Sequence, residues 1–344
     1  MRIVAPVSAV AEVETLAAAG ADEFYCGLVP REWVERFGNA GVNRRIFGNL
    51  ASYDDLAAVI RLAHAAAGRV SLVLNAPHYA GAQMPALLDL AARFAGLGGD
   101  ALIVGDIGLL GLLAEREPAI RLHVSSLLSC RNAEAAALYR DLGAQRVVLP
   151  RDVTPEEIAA MIAATPDLEF EAFILNDGCV FEEGQCHTIH LPARLGGPIC
   201  IDDYRTVHSR IDGATLTESE AAALAANDDK HREWLWYRFS CGFSVTDQGF
   251  PYGPCGLCAM PLLATSGLAA VKIAGREAAT VRKVRSVEMV RMVRDRLDSP
   301  GRAVMDFAQE LRGRADLCAS GLMCYYRSEN VPVGAGERQR CGTR

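Results

Sequence analysis

Short apolar runs alternate with amphipathic segments along most of the chain. Eight runs have the composition of buried strands, at residues 2–5, 23–26, 70–75, 101–104, 121–125, 145–149, 169–175 and 269–273. Apolar residues recur at helical spacing between them, as at residues 13–19, 53–67, 84–95, 133–142 and 155–164. Strands that alternate with helices predict an α/β fold, and eight such strands predict a (β/α)8 TIM-like barrel. An open, doubly wound sheet is the alternative.

A barrel would gather its chemistry at the carboxyl ends of the strands. The residues just past the predicted strand ends are Cys26, Asn75, Asp106, Ser125, Ser126, Arg151, Asn176, Asp177 and Arg276. Of these, Arg151 and Asp177 are candidate catalytic residues. Arg44, Arg45, Arg151 and Arg276 could clamp a carboxylated or phosphorylated substrate, because the guanidinium fork matches those anions. Arginines on helix surfaces are the alternative interpretation.

One connection, before the last strand, is far longer than the usual loop. This insertion, at about 176–257, is rich in cysteine and contains an acidic helical piece at 217–230. A long loop on the active face commonly serves as a lid or holds a cofactor. We therefore divide the chain into a barrel-like catalytic domain at 1–290, which includes the insertion, and a C-terminal helix with a cysteine-containing tail at 291–344.

Composition and charge narrow the class of protein. Of the 344 residues, 51% are hydrophobic and 22% are charged, which is typical of a globular chain and excludes wholesale disorder. The formal net charge of −7 disfavours RNA as a partner, because RNA binding needs a basic footprint. No apolar run reaches the ~20 residues that cross a bilayer, and the amino terminus lacks a signal peptide. We expect a cytoplasmic protein with no membrane contact.

The cysteines indicate metal or redox chemistry in the second half of the chain. Of the eleven cysteines, only Cys26 and Cys130 precede residue 179, and six lie between Cys179 and Cys258. Thiolates bind iron–sulfur clusters and other soft metals. Zinc is a competitor, because Cys255 and Cys258 have zinc-ribbon spacing. Six cysteines in one glycine-rich segment are not typical of core packing.

Several motifs along the chain resemble those of the collagenase-like U32 peptidase family. The segment from Glu171 to Cys179, followed by Cys186 and Cys200, resembles the family signature. Further similar segments are Gly20-Ala21-Asp22-Glu23-Phe24-Tyr25-Cys26-Gly27, Val42-Asn43-Arg44-Arg45, His123-Val124-Ser125-Ser126, Val148-Leu149-Pro150-Arg151-Asp152 and, after Gly256-Leu257-Cys258, Val271-Lys272-Ile273-Ala274-Gly275-Arg276. These motifs occur in the family's order over roughly residues 3–290.

The resemblance implies a barrel-like domain and oxygen-independent hydroxylation rather than proteolysis. Members include the Ubi-U/Ubi-V pair of ubiquinone synthesis and enzymes that hydroxylate transfer or ribosomal RNA. They use a [4Fe-4S] cluster, and the RNA enzymes are associated with prephenate, a possible oxygen donor. Carried over by position, the cluster ligands would be Cys179, Cys186, Cys200 and Cys258. His187, next to the second ligand, could donate a proton, although a structural histidine is as reasonable.

Two departures from the family pattern bear on these assignments. The run from Cys200 to Arg205 lacks the second cysteine that the family often has shortly after its third ligand. Ala274 stands where the family has an acid, and Glu277 need not replace it. In addition, Cys241 and Cys255 are extra cysteines, and either could displace Cys258 as the fourth ligand. We expect Cys318, Cys324 and Cys341, beyond the matched motifs, to be free thiols, with a second metal site as the alternative.

Three functions follow from this reading. The first is an iron–sulfur hydroxylase or oxidoreductase acting on a small aromatic, peptide-derived or RNA substrate, with small molecules favoured over RNA by the net charge. The second is a peptidase, which the sequence supports weakly because neither an H-E-x-x-H pair nor a G-x-S-x-G elbow is present. The third is a non-catalytic, cluster-bearing partner in a heterodimer. A protein partner or electron donor remains open.

Overall fold

Eight parallel strands close into a barrel in the computed structural model, which confirms the predicted (β/α)8 fold. The structure describes residues 1–38, 41–76, 78–117, 119–179, 182–186, 206–239 and 245–326, with the backbone alone for 236–239. The strands are β1 Arg2–Val7, β2 Glu23–Cys26, β3 Arg69–Leu74, β4 Ala101–Val104, β5 Arg121–Val124, β6 Arg146–Val148, β7 Glu169–Leu175 and β8 Ala270–Ile273. β1 pairs with both β2 and β8, which closes the sheet on itself.

The helices surround this barrel and then continue past it. They are α1 Glu12–Ala19, α2 Arg31–Phe37, α3 Tyr53–Ala65, α4 Met84–Gly96, α5 Ile107–Arg116, α6 Ala133–Asp141, α7 Pro155–Ala164, α8 Glu218–Phe239, α9 Met260–Thr265, α10 Thr280–Arg294, α11 Gly301–Arg312 and α12 Ala315–Ser320. The side chains of Ser52 and Thr154 accept hydrogen bonds from backbone N–H groups at the starts of α3 and α7, as is typical of serine and threonine before the first turn of a helix. The acidic helical piece continues further than predicted, to Phe239.

The inside of the barrel contains both apolar and charged side chains. Val4, Tyr25, Val73, Ile103 and Ala270 form a separate apolar cluster there, because alternate residues of each strand face inward. The other face of the strands packs against the helices in one large hydrophobic core.

The charged side chains form a network of buried ion pairs. The Arg146 guanidinium on β6 bonds Glu23 on β2 at 2.9 Å and Glu171 on β7 at 3.0 Å. Arg146 and Glu171 are fully buried and Glu23 is nearly so. Because β2 and β6 lie on opposite sides of the barrel, the network joins distant strands through its interior.

The end of the described chain returns to the barrel. Cys324 pairs with Cys255 as neighbouring strand-like residues, and the Tyr326 hydroxyl donates to the Phe173 carbonyl at 2.9 Å. The Arg312 guanidinium, in α11, donates to the Pro251 and Gly253 carbonyls at 2.9 Å each. The C-terminal segment is therefore bound to the insertion that precedes β8. Among the described residues, no helix is long and apolar enough to span a membrane.

Candidate functional site at the carboxyl end of the barrel

A pocket of about 670 Å³, including its open mouth, lies at the carboxyl ends of the strands. The described side chains that line it include five cations and two carboxylates, namely Arg44, Arg45, Arg151, Lys272, Arg276, Asp177 and Glu183. The pocket is therefore locally positive in a chain whose net charge is negative. The four arginines singled out from the sequence all line it.

Two of these arginines are held by neighbouring polar groups. The Arg45 guanidinium lies 3.0 Å from the Asp177 carboxylate and 3.5 Å from that of Glu277. Arg276, which is buried, donates to the side-chain oxygens of Asn43 at 2.8 Å and Asn49 at 3.1 Å. Asn43 and Asn49 are neutral, so the charge of Arg276 stays available to an anion in the pocket.

Arg151 occupies the wall above Phe173. Its guanidinium carbon lies 3.6 Å from the centre of the Phe173 ring, and its charge is paired with the Glu183 carboxylate. The Nε atom of Arg151 is buried and has no hydrogen-bond partner in the described part of the chain. A buried donor without a partner is costly, so an acceptor on a bound ligand would be stabilised there.

The chain leaves β7 in a strained conformation. Asn176 and Asp177 have φ angles of 67° and 44°, in the left-handed region that non-glycine residues rarely adopt. The Asn176 amide donates to the Ser286 hydroxyl at 3.0 Å, and the Tyr325 hydroxyl donates to the Asn176 carbonyl. These contacts hold the Asp177 carboxylate against Arg45. Strain held in this way is typical of functional sites.

Cys179 lies in the same pocket as the arginines. Burial raises the pKa of its thiol, and Glu183 does the same, whereas Arg151, Arg44 and Arg45 lower it. These cations favour the thiolate, the form that binds metal. Cys186 follows on the same loop and is half-buried. Cys200 and His187, also named from the sequence, lie outside the described residues.

Two acids hold this loop over the pocket wall. The Ser126 hydroxyl donates to the Glu183 carboxylate at 2.9 Å, and the Ser129 hydroxyl donates to that of Glu182 at 3.0 Å. The Arg44 guanidinium donates to the Glu183 carbonyl at 3.0 Å. Glu183 is buried and paired, so it positions the loop and Arg151.

Cys258 lies in a different cavity from Cys179. It shares that cavity with Cys255, Cys318 and Cys324, and the remaining lining includes Arg312. In the ranges that the structure describes, no three His, Cys, Asp or Glu side chains already lie close enough together to hold a metal ion. The ligand set with Cys179, Cys186, Cys200 and Cys258 stays a prediction.

Sequence reasoning missed several lining residues and misplaced others. Lys272 lies 4.0 Å from the Tyr25 ring and bonds Glu171 at 2.6 Å, and both Lys272 and Tyr25 face the pocket. Alternation along β2 and β8 points both side chains inward, which was the available signal. By contrast, Cys26 packs in the outer core, and the Asp106 side chain caps α5. Ala274 lines the pocket, so the acid expected there from the resemblance is absent from the site itself.

Two curated relatives are proteins of RNA modification in Escherichia coli (strain K12). The chain is 28% identical to tRNA hydroxylation protein P over 185 residues, which are 54% of this chain and 38% of the relative. It is 34% identical to 23S rRNA 5-hydroxycytidine C2501 synthase over 142 residues, which are 40% of this chain and 20% of the relative. The chain therefore matches well under half the length of either relative.

These relatives overturn the preference for small-molecule over RNA substrates. Both are named for work on RNA, whereas that preference rested on the net charge of −7. Net charge sums over the whole chain and hides local differences. The described lining of the pocket contains two of the 42 acids and five of the 35 lysines and arginines, so the rest of the chain carries 40 acids against 30 cations.

The family is identified by a sequence profile, not by likeness to a solved structure. Among solved structures, that of the U32 peptidase Mk0906 aligns with a TM-score of 0.41 and 15% identity, covering 51% of this chain and 69% of that one. The sequence profile of Peptidase family U32 matches residues 8–331, nearly the whole chain. By its sequence from one end of the barrel to the returning C-terminal segment, this chain belongs to Peptidase family U32.

Proposed function

We propose that this chain hydroxylates a nucleotide of transfer or ribosomal RNA without molecular oxygen, with a [4Fe-4S] cluster as cofactor. The names of its relatives support the RNA substrate and the reaction type. The observation that carries the proposal is the pocket itself, where Arg44, Arg45, Arg151 and Arg276 meet Cys179 at the catalytic end of a barrel. RNA recognition needs cations for phosphate, and the reaction needs a cofactor within reach.

The residues of the pocket fit the parts of such a reaction. Arg45 and Arg276 are placed to bind phosphate or carboxylate oxygens. Phe173, with Arg151 stacked on it, offers the kind of flat surface on which an unstacked base can lie. Asp177 is placed to accept a proton at the pocket edge, and His187 is a second candidate for proton transfer.

Replacing C–H by C–OH removes two electrons from the nucleotide, so the oxygen donor must accept those two electrons. The family resemblance suggests prephenate as that donor, and its two carboxylates suit a pocket lined by arginines. The cluster would be held by Cys179, Cys186, Cys200 and a fourth thiolate, predicted at Cys258, and would supply electron relay or bind the donor. Arg151, Arg44 and Arg45 would offset the negative charge that such thiolates bring.

The test is nucleoside mass spectrometry after anaerobic reaction of the purified chain with transfer and ribosomal RNA and prephenate. We expect one nucleoside to gain the mass of an oxygen atom. Arg151→Lys should lower the rate about 10-fold or more, because lysine cannot present the guanidinium fork. Arg36→Lys, on the exposed face of α2, is the matched control. Unchanged RNA from a chain loaded with iron and sulfide would reject the proposal.

A further inference from the structure

Four cysteines from two distant parts of the sequence share one cavity beside the barrel. Cys255 and Cys258 come from the end of the insertion, and Cys318 and Cys324 come from α12 and the segment after it. None of the described cysteines is in a disulfide. The family profile extends to residue 331, so Cys318 and Cys324 lie inside the matched region, contrary to the expectation from the motifs.

The backbone holds the two segments together at this point. The Cys255 N–H donates to the Met323 carbonyl at 2.8 Å, and the Tyr325 N–H donates to the Cys255 carbonyl at 3.0 Å. Cys255 and Cys324 are thereby direct neighbours across a parallel bridge. The cavity is built by the fold and is separate from the pocket at the barrel mouth, since no residue lines both.

The Cys255–Cys258 turn has features of a metal-binding turn. Its two cysteines have the spacing of zinc sites. The Leu257 N–H donates to the Cys255 sulfur at 3.5 Å. An N–H group directed at sulfur stabilises a thiolate, which is the form of cysteine that binds metal.

Four thiols held together in this way form an unusual donor set. All four cysteines line the same cavity, together with the apolar side chains of Leu257, Leu317 and Met323. A cation bound among them would remove the thiol protons, because a coordinating thiol is deprotonated outright. Arg312 lines the cavity and would offset the remaining negative charge.

We propose that Cys255, Cys258, Cys318 and Cys324 form a four-thiolate centre for a soft metal, either zinc or iron. The four residues line one cavity, but as they stand in the described structure they do not form a group that could hold a metal, so binding requires their side chains to rotate inward. Such a centre would fasten the C-terminal segment to the insertion. A metal bound there would also occupy Cys258, so that Cys258 could not bind the cluster of the proposed function. The fourth ligand of that cluster would then be Cys241, the alternative that the sequence allows.

The experiment is metal and acid-labile sulfide analysis of the full chain, purified without oxygen, in wild type and in Cys318→Ala and Cys324→Ala. Each variant should lose one metal centre per chain. Cys130→Ala, at a buried cysteine that lines neither cavity, should lose nothing. Cys179→Ala should retain this centre while losing the cluster of the proposed function. Zinc without sulfide, or iron with it, identifies the metal.

A second measurement uses wild-type protein and does not depend on a variant folding. Alkylation read by mass spectrometry should label Cys318 and Cys324 faster after a chelator removes the metal. Equal metal content in wild type and both variants, or equal loss in Cys130→Ala, would overturn the proposal. So would alkylation that metal removal leaves unchanged. A chain that lacks the Cys179-dependent cluster but loses zinc in Cys318→Ala would refute the cofactor of the proposed function and retain this centre.

Discussion

Asp177 shows how much of the site depends on single residues. Its left-handed backbone and its pairing with Arg45 were not visible in the sequence, although its place after a strand was. The position of a residue just after a strand predicts the end of the barrel at which its side chain lies. That position does not predict which cation pairs with the side chain, because Arg45 belongs to a different loop, far from Asp177 in the sequence.

A substitution can distinguish proton transfer by Asp177 from a purely structural role in holding Arg45. Asp177→Asn keeps a residue that tolerates positive φ, so we expect the free energy of unfolding to change by less than about 1 kcal/mol. Hydroxylation should fall by about 10²-fold or more if the carboxylate transfers a proton. Unfolding in urea and turnover by nucleoside mass spectrometry are the measurements.

Glu277→Gln is the matched control for this variant, because Glu277 is the other carboxylate beside Arg45. We expect it to retain most of the activity. Equal losses in the two variants would show that both acids only position Arg45, and would remove Asp177 from the chemistry.

At the scale of elements, the strands were predicted well and the insertion was not. Five predicted strands begin at the same residues as the observed ones, because buried strands are continuous apolar runs with polar or glycine residues at their ends. No such pattern marks α12, which has only six residues, or its approach to the insertion. Contacts between segments so far apart in the sequence depend on the closed fold, so the cluster of four cysteines could not be predicted from the sequence.

The strands also carry a buried charge network that should be costly to break. Arg146→Leu would remove one cation from both Glu23 and Glu171, which would stay buried beside Arg2 and Lys272. We expect the free energy of unfolding to fall by about 3–5 kcal/mol, as for other broken buried ion pairs. Thermal unfolding followed by circular dichroism measures this loss.

Arg140→Leu serves as the comparison, because Arg140 pairs with Asp141 on the partly exposed surface of α6. Its effect should stay below about 1 kcal/mol. Similar losses in the two variants would mean that the network contributes no more than a surface pair.

The same network predicts how the stability of the molecule depends on pH. Burial, followed by Arg146 and Arg121, lowers the pKa of His123 well below 6.5, so His123 is neutral in the folded state. Burial opposes ionisation of Glu169, but Arg146 and Arg2 outweigh it and lower its pKa to about 2. Both groups bind fewer protons folded than unfolded, so stability must fall as the pH falls.

We expect this fall to begin near pH 6.5 through His123 and to steepen from about 4.5 towards 2 through Glu169. Urea unfolding at a series of pH values tests it. His123→Gln should flatten the upper part of the curve. Constant stability between about pH 7 and pH 5 would contradict the assignment.

At the scale of the whole molecule, the electrostatics of RNA binding should follow the pocket rather than the net charge. Affinity for transfer RNA, measured by fluorescence anisotropy, should decrease as salt increases. Removing both cations in Arg44→Ala/Arg45→Ala should reduce the slope of log affinity against log salt by about 1.5, because each phosphate contact contributes about 0.7–0.9. Arg36→Ala should keep the wild-type slope. Equal slopes for all three proteins would mean that RNA binds away from this pocket.

The returning C-terminal segment makes the site sensitive to truncation. Tyr325 bonds the Asn176 carbonyl, next to the strained turn that directs Asp177 at Arg45. The supporting hydroxyl and the carbonyl that it contacts belong to residues 149 positions apart in the chain. A chain cut before residue 325 would keep all eight strands and lose this support, so closure of the barrel and the geometry of Asp177 are separable.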